Sequence, residues 1–352
     1  MVRMTAELVH PPKACPGDKV AVLSPSFAAP GVAPTIHEQA MRRLTEVTGL
    51  VPVEYPTTRQ VGASAQARAD DLNAAFADPD IRAVMATIGG EDQITVLAHL
   101  DPHLIRADPK PFLGYSDNTN ILSWLWSHGV AGFYGGSTQV HLGAGPGVDD
   151  CHRAALRAAL LTGERLEVTD PGVSEDHGLD WGDPAALMEF GDREPTEPWT
   201  WAGPRRAVTG ATWGGCVEVL QRILGFRRFA HEPVALEGGI LLLESSEDII
   251  PAHEFGWILR TLGEGGLLCA VDAVVVARPP ASSFDLHPSA VRRAEYRIEQ
   301  RDIAIETVQH YNQDAVICVG VPFGHTRPQW ILPYGGEVTV DGNTQQLWAD
   351  YR

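Results

Sequence analysis

The stretch Pro111-Phe-Leu-Gly-Tyr-Ser-Asp-Asn-Thr-Asn120 places a short apolar run, a serine and the start of a helical pattern next to one another. It predicts a strand over Pro111–Gly114 and a helix over Asn118–Trp126. Ser116 then lies on the turn between them, where a hydroxyl projects beyond the end of the strand. The N–H of Asp117 lies at the helix N-terminus, where the helix dipole favours an oxyanion. From these residues alone the alternative is that Ser116 or Asp117 caps the helix.

The rest of the first half repeats this order of strand, turn and helix. Strands are predicted at Lys19–Ser24 and Ala83–Ile88, and helices at Thr35–Thr48 and Ala65–Phe76. The repeat predicts a parallel sheet with helices on both faces, which binds ligands beyond the carboxyl ends of its strands. Gly89-Gly90 follows one of these strands. Glycine there either lets the backbone approach a substrate closely or makes a plain left-handed turn.

The last third predicts a second, mixed α/β unit. It begins with a glycine-rich turn at Trp213-Gly214-Gly215 and continues with alternating strands and helices. The predicted strands are 239–244, 273–277, 315–321 and 337–340, and the predicted helices are 217–224, 253–262 and 288–310.

Two polar side chains of this second unit lie where strands end. Glu244 closes an apolar strand, and His325 follows the strand Ala315–Val321 in the next loop. A serine nucleophile needs a base, and the base needs an orienting partner. Ser116, His325 and Glu244 are therefore candidates for nucleophile, base and orienting carboxylate. The simpler alternatives are an arginine partner for Glu244 and an ordinary loop histidine at position 325.

Composition excludes several classes of function. The net charge of −18 argues against a nucleic-acid groove and against an anionic membrane surface, because both attract clustered lysine and arginine. The N-terminus lacks the apolar run of a secretory signal. Five scattered cysteines without a Cys-x-x-Cys pair favour a reduced, cytoplasmic protein. Neither His231-Glu232 nor His253-Glu254 has a second histidine at the spacing of a zinc helix, so no metal is expected.

Six segments in this order together resemble the LD-carboxypeptidase family of serine peptidases. They are 16–26, 87–90, 114–119, 214–215, 243–247 and 324–326, and the matching blocks span about residues 11–340. The resemblance implies a catalytic triad of Ser116, Glu244 and His325, with an oxyanion hole from the backbone N–H groups of Asp117 and Gly90. It also implies a homodimer that uses no metal and no cofactor.

The resemblance implies a fold in three parts. A Rossmann-like N-terminal domain with a parallel sheet (1–165) carries the nucleophile. A linker with a long tryptophan-bearing loop (166–205) follows. A mixed α/β C-terminal domain (206–352) carries the glutamate and the histidine, and the active site lies at the domain interface.

Two departures bear on the substrate. Cys216-Val217-Glu218 replaces the Asn-Leu that follows the two glycines in many members. The segment Asp170–Pro204 is long and lacks a clear period; such segments are functional or disordered, and its three tryptophans argue against disorder. It resembles the extended loop of the branch that contains microcin C7 self-immunity proteins, where an aromatic ring can stack on a nucleotide. Candidate substrate-binding residues are Trp181, Trp199, Trp201 and Glu247, with core packing as the alternative for the tryptophans.

The expected reaction is hydrolysis of an amide bond in a small peptide or peptidyl-nucleotide. By resemblance to that branch, the first candidate is detoxification of an aminoacyl or peptidyl nucleotide. The alternatives are a murein tetrapeptide cut before its terminal D-amino acid, and a homologue that binds ligands without catalysis.

Overall fold

The computed structural model describes residues 8–226 and 233–352. The pair His231-Glu232 and the first seven residues, which entered the predictions above, lie outside the described residues. The strands, in chain order, are β1 (Lys19–Leu23), β2 (Val51–Glu54), β3 (Ile81–Ala86), β4 (Phe112–Gly114), β5 (Gly132–Tyr134), β6 (Arg165–Val168), β7 (Val173–Ser174), β8 (Glu194–Pro195), β9 (Thr200–Ala202), β10 (Ala207–Cys216), β11 (Ile240–Glu244), β12 (Ala273–Ala277), β13 (Val316–Val321), β14 (Leu332–Tyr334), β15 (Glu337–Asp341) and β16 (Gln346–Asp350).

The α-helices, in chain order, are α1 (Ala29–Val32), α2 (Pro34–Thr48), α3 (Ala65–Ala77), α4 (Pro102–Ala107), α5 (Thr119–Ser127), α6 (Asp150–Arg157), α7 (Val217–Gly225), α8 (Ala252–Glu264), α9 (Leu267–Ala270) and α10 (Ala290–Tyr311). A short 3-10 turn over Ser116–Asn118 precedes α5, and a π-helical turn covers Thr138–Gly143. No helix in the described ranges is long and apolar enough to cross a membrane.

Two sheets organise the molecule. The first has the strand order β14-β5-β4-β3-β1-β2, and its five strands from the first half of the chain are parallel. The second has the order β6-β16-β15-β10-β11-β12-β13-β9, with parallel pairing from β10 to β13 and antiparallel pairing toward both edges. The predicted parallel sheet and the predicted mixed α/β unit are confirmed.

Continuous apolar runs form the centre of the second sheet. Ile240–Leu243 and Ala273–Ala277 are buried along their whole length, as expected for strands covered on both faces. β12 has the predicted bounds, whereas β3 begins and ends two residues before the predicted Ala83–Ile88. Residues 87 and 88 instead lead the chain out of the first sheet toward Gly89.

The chain crosses from one sheet to the other immediately after β13. β13 belongs to the second sheet, whereas β14 pairs antiparallel with β5 at the edge of the first, with Leu332 opposite Tyr134. The loop between β13 and β14 carries His325. This crossing brings a histidine from the C-terminal part of the chain to the first sheet.

The predicted glycine-rich turn at Trp213-Gly214-Gly215 is wrong, because these residues lie inside β10. Gly214 pairs with Leu242 of β11 and has a φ of +136°. A Cβ at Gly214 would overlap the carbonyl oxygen of Leu242. The glycine therefore permits a close approach of two strands in the sheet, and it does not reverse the chain.

The segment Asp170–Pro204 is not an unstructured loop. It contains the short strands β7, β8 and β9, and β9 extends the edge of the second sheet. Buried Asp176 makes ion pairs with Arg278 and Arg297, at 3.0 and 2.8 Å. Glu194 pairs with Arg293 and Arg297, both at 2.7 Å. Ion pairs therefore anchor this segment. Because ion pairs do not require a regular spacing of residues, the sequence of the segment shows no period.

Candidate functional site

Ser116 lies on a sharp turn between β4 and α5. Its φ is +61°, a left-handed conformation that non-glycine residues rarely adopt and that is found where a local function requires it. The backbone on either side is tied down: Thr119 Oγ1 donates to the Ser116 carbonyl at 2.7 Å, and the Ser116 N–H donates to the Tyr134 hydroxyl at 3.3 Å. The turn thus presents Ser116 to a cavity that its side chain lines.

The side chain of Asp117 points into the protein and anchors this turn. Its carboxylate accepts hydrogen bonds from Ser26 Oγ at 2.6 Å, from the Gln93 N–H at 2.9 Å and from Asn120 Nδ2 at 2.8 Å. Burial raises the pKa of Asp117 above its ordinary value. The contacts of this side chain fix the position of the Asp117 backbone.

Glu244 and His325 form a buried pair beside the serine. Nδ1 of His325 lies 2.5 Å from Oε2 of Glu244, and the Tyr134 hydroxyl donates to Oε1 of the same carboxylate. Burial would lower the pKa of His325, but the adjacent carboxylates Glu244 and Glu247 outweigh it and raise the pKa to about 9. The Glu244 contact fixes the orientation of the ring and leaves Nε2 as the ring nitrogen that is not bound to Glu244.

Nε2 of His325 makes no hydrogen bond to the Ser116 hydroxyl. It lies 3.1 Å from Oε2 of Glu247, in the loop after β11. The contact is close enough for an ion pair but is not aligned as a hydrogen bond. The structure thus brings the predicted Glu247 into the site, next to the histidine.

Two glycines keep the space beside Ser116 open. A Cβ at Gly89 would lie 2.8 Å from Ser116 Oγ and 3.2 Å from the Asp117 nitrogen. A Cβ at Gly90 would overlap Ser26 Oγ. A side chain at Gly89 would therefore displace Ser116, and one at Gly90 would displace Ser26, which donates to the Asp117 carboxylate.

The cavity in front of Ser116 has a volume of about 800 Å³ and is lined mainly by the loops that follow strands of both sheets and by the middle segment. Trp181 lines it and packs against a small apolar cluster that includes Ile36. Trp199 and Trp201 do not line it: both pack against the main core, and Trp201 of β9 pairs with Cys318. The structure thus separates one of the three predicted tryptophans from the other two.

Two residues of the site are absent from the sequence predictions. Tyr134 ends β5, a strand of three residues that is too short to show a period, and burial raises its pKa well above the ordinary value. Glu218 lies in the first turn of α7 and lines the cavity; burial raises its pKa, and the charge of Glu244 adds to this effect. The sequence showed that residues 216–218 depart from the family pattern, but it did not show that Glu218 lies near Glu244.

Comparison with known proteins assigns the family. The family model of the LD-carboxypeptidase N-terminal domain matches residues 20–135, and that of the LD-carboxypeptidase C-terminal domain matches residues 209–340. The chain therefore belongs to the LD-carboxypeptidase family, peptidase family S66. It is a hydrolase of the serine carboxypeptidase type.

Individual relatives cover most of the chain. The murein tetrapeptide carboxypeptidase of Pseudomonas aeruginosa is 28% identical over 334 residues, which are 92% of this chain and 94% of the relative. The microcin C7 self-immunity protein MccF of Escherichia coli is 26% identical over 285 residues, or 80% of this chain and 77% of the relative. The structure of MccF in complex with glutamyl sulfamoyl guanosine superposes with a TM-score of 0.81 at 21% identity, over 98% of both chains. The two-domain mixed α/β fold is thus shared with MccF.

Proposed function

We propose that the protein hydrolyses an amide bond through Ser116 as nucleophile, His325 as base and Glu244 as orienting carboxylate. The observation that carries the proposal is the Glu244–His325 pair at 2.5 Å, with the histidine and Ser116 lining one cavity. The backbone N–H groups of Asp117 and Gly90 form the oxyanion hole.

The reaction is acyl transfer in two steps. His325 Nε2 accepts the proton of the Ser116 hydroxyl while the oxygen attacks the amide carbonyl, and Glu244 stabilises the resulting imidazolium. The carbonyl oxygen becomes an oxyanion held by the two N–H groups. His325 then protonates the leaving nitrogen, and water attacks the acyl-enzyme in the second step. The hydrogen bond from Tyr134 fixes the second oxygen of Glu244 and so holds the carboxylate toward the ring.

The first candidate substrate is an aminoacyl or peptidyl nucleotide, as in the MccF-like branch. Trp181 at the cavity supports it, because an indole ring can stack on a nucleobase. A second candidate is a murein tetrapeptide, which the longer match to the murein carboxypeptidase favours. The third alternative is a homologue that binds a ligand without catalysis, in which Ser116 would not react.

Three further parts of the proposal rest on the family. The protein forms a homodimer, which sedimentation at micromolar concentration would detect as twice the mass of one chain. It acts in the cytoplasm, and its five unpaired cysteines are compatible with a reducing compartment. The chain divides into a nucleophile domain (1–165), a linker with the tryptophan-bearing loop (166–205) and a domain with the glutamate and histidine (206–352).

A fluorophosphonate probe and the variant Ser116→Ala test the chemistry. The wild-type protein should be labelled at Ser116, and the variant should lose labelling and reduce turnover by about ten-thousandfold or more. Turnover is followed by mass spectrometry on aspartyl and glutamyl sulfamoyl adenosine and on a murein tetrapeptide. A correctly folded Ser116→Ala variant with normal turnover would overturn the assignment, and an unlabelled wild type would favour the ligand-binding homologue.

The variant Trp181→Ala separates the two substrate classes. Loss of base stacking is worth about 1–3 kcal/mol, so KM for a sulfamoyl adenosine substrate should rise about fivefold to a hundredfold. The KM for a murein tetrapeptide, which has no base, should change little. Trp257→Ala serves as the control, because Trp257 is 58% exposed on α8 and does not line the cavity. Equal effects of Trp181→Ala on both substrates would exclude stacking.

A further inference from the structure

Glu247 is placed to control the reactive nitrogen of His325. Its side chain is 65% exposed, whereas that of His325 is only 7% exposed. Oε2 of Glu247 lies 3.1 Å from Nε2, the atom that has to accept the proton of Ser116. Nε2 has no aligned hydrogen-bond partner among the described residues. An exposed carboxylate thus occupies one side of a buried nitrogen that the reaction needs.

The groups around His325 hold it as an imidazolium in this arrangement. Carboxylates face it from β11 (Glu244), from the following loop (Glu247) and from α7 (Glu218). The ring of Tyr115, after β4, packs 5.0 Å from the imidazole and is uncharged, because burial raises its pKa. His141 on the π-helical turn is neutral, because burial keeps its pKa well below the ordinary value. The surrounding field is therefore negative.

The pKa of His325, raised to about 9, has a kinetic consequence. At pH 7 only about one ring in a hundred is neutral and able to act as a base. Moving the exposed Glu247 carboxylate away from Nε2 increases that fraction, while buried Glu244 stays in place to orient the ring. Glu247 is the exposed member of the pair of carboxylates in contact with the ring, and thus the one that a ligand can move.

The same side of the cavity has an excess of carboxylates. Glu218 and Asp248 line this side of the cavity together with Glu247. Unlike Glu247, Glu218 and Asp248 make no ion pair with any of the described residues. Glu218 accepts hydrogen bonds from Ser246 and Cys216 instead. Arg222 is the neighbouring cation on α7. A substrate that presents a positive charge here finds a carboxylate able to turn toward it.

We propose that Glu247 is a positioning residue that selects substrates with an ammonium group on the acyl side of the scissile amide. The ammonium group draws the Glu247 carboxylate away from His325, the Nε2 proton leaves to solvent, and the neutral ring then accepts the proton of Ser116. A substrate without that charge leaves Glu247 on the ring and reacts more slowly. This inference rests on the proposed function of the Ser116 site.

The direct test measures the titration of His325 by histidine NMR in the Ser116→Ala background. Glu247→Gln should lower the pKa of His325 by about one unit or more, because it removes a carboxylate that stabilises the imidazolium. Glu254→Gln makes the same charge change on α8, outside the cavity, and should leave the titration unchanged. An unchanged pKa in Glu247→Gln would overturn the proposal, and this readout needs no activity.

The kinetic test compares substrates that differ only in the amine. Glutamyl sulfamoyl adenosine is paired with its N-acetyl derivative, and a lysine-containing murein tetrapeptide with its Nε-acetyl-lysine form. For whichever scaffold is cleaved, the wild type should prefer the free amine by about tenfold or more at pH 7. Glu247→Gln should lose most of this preference, mainly by faster cleavage of the acetylated form, whereas Glu254→Gln should keep it.

Fluorophosphonate labelling separates failure of this inference from failure of the proposed function. The probe carries no ammonium group, so its labelling rate reports Ser116 and the neutral fraction of His325. Faster labelling of Glu247→Gln than of wild type at pH 7 supports the inference. Normal labelling with an unchanged amine preference in Glu247→Gln leaves the nucleophile assignment intact and rejects the role of Glu247.

Discussion

Tyr134 connects the parts of the site at the scale of single residues. Its hydroxyl accepts a hydrogen bond from the Ser116 N–H at 3.3 Å and donates to Glu244. Burial keeps its pKa well above the ordinary value, so the hydroxyl stays protonated and able to donate. One phenol thus contacts both the turn that carries Ser116 and the Glu244 carboxylate.

Tyr134→Phe should therefore affect catalysis and stability together. Loss of a buried hydrogen-bond donor should cost about 1–3 kcal/mol of unfolding free energy. Turnover should fall about tenfold to a hundredfold, because Glu244 loses the contact that holds it toward His325. Urea unfolding and steady-state kinetics measure the two effects.

Tyr334→Phe is the matched control for this variant. Tyr334 is also fully buried, stacks on Tyr134 and makes hydrogen bonds with Ser123 and the Gly214 carbonyl, but it does not touch Glu244. It should lose similar stability while retaining most of the turnover. A comparable loss of turnover in both variants would contradict a specific role for Tyr134.

At the scale of elements, the middle segment is held on the second sheet by charge. β8 carries Glu194, which pairs with Arg293 and Arg297 of α10 at 2.7 Å each. Burial would raise the pKa of Glu194, but these two guanidinium groups outweigh it and lower the pKa to about 2. Since this segment also contributes Trp181 to the cavity, its anchoring matters for the site.

The anchoring predicts a pH-dependent stability. A carboxylate with a lowered folded-state pKa stabilises the fold fully above about pH 4.5, and this stabilisation is lost as the pH falls toward 2. With 27% of the side chain exposed, the contribution is about 1–3 kcal/mol. Glu194→Gln should remove that part of the pH dependence, as measured by urea unfolding between pH 2.5 and 6.

Hydrogen exchange locates the effect of this variant. Protection in residues 173–197 should fall in Glu194→Gln at pH 6, since the segment loses a charged anchor. Glu299→Gln, an exposed change on the same helix, should leave both the pH profile and the protection as in wild type. An identical acid profile for Glu194→Gln and wild type would show that the segment is held by other contacts.

At the scale of the whole molecule, Arg327 joins the crossing loop to the first half of the chain. Its guanidinium donates to Asp149 at 2.8 Å and to the carbonyls of Val140, Ala144 and Gly147 at 3.0 Å each. Its backbone pairs with that of Glu175 in the middle segment. Arg327, two residues after His325, thus links the crossing loop to the stretch 140–149 and to the middle segment.

Arg327→Ala should destabilise the protein by about 3–5 kcal/mol, because it leaves buried carboxylates and carbonyls without their partner. It should also separate the unfolding of the two sheets, so that fluorescence and circular dichroism transitions no longer coincide. Arg352→Ala removes an arginine that is 72% exposed and should change stability by about 1 kcal/mol or less. A single, unshifted transition in Arg327→Ala would contradict this role.

Local sequence patterns were sufficient for the longer helices and for several of the buried strands. The helix ending at Gly49 and the strand Ala273–Ala277 follow from capping and from apolar runs, which are properties of neighbouring residues. Gly214 and Gly215 were predicted to form a turn but lie inside a strand. Glycine occurs both in turns and where two strands approach closely, so the residue type alone does not distinguish the two. The three-residue strands β5 and β14 were missed, because three residues are too few to show a period; β4 is equally short but was identified through the serine and the helical pattern that follow it.

The sequence by itself determined the longer helices, several central strands and the chemical types of the candidate site residues: a serine on an elbow, a glutamate and a histidine after strands. Only the tertiary structure decided that the chain crosses between sheets after β13, so that His325 meets Glu244 within 2.5 Å. It also decided that Trp181 lines the cavity and that Glu247 lies on Nε2. The physical reason is range: helix and strand patterns arise between residues a few positions apart, whereas these contacts join residues from separate elements and depend on how whole sheets pack.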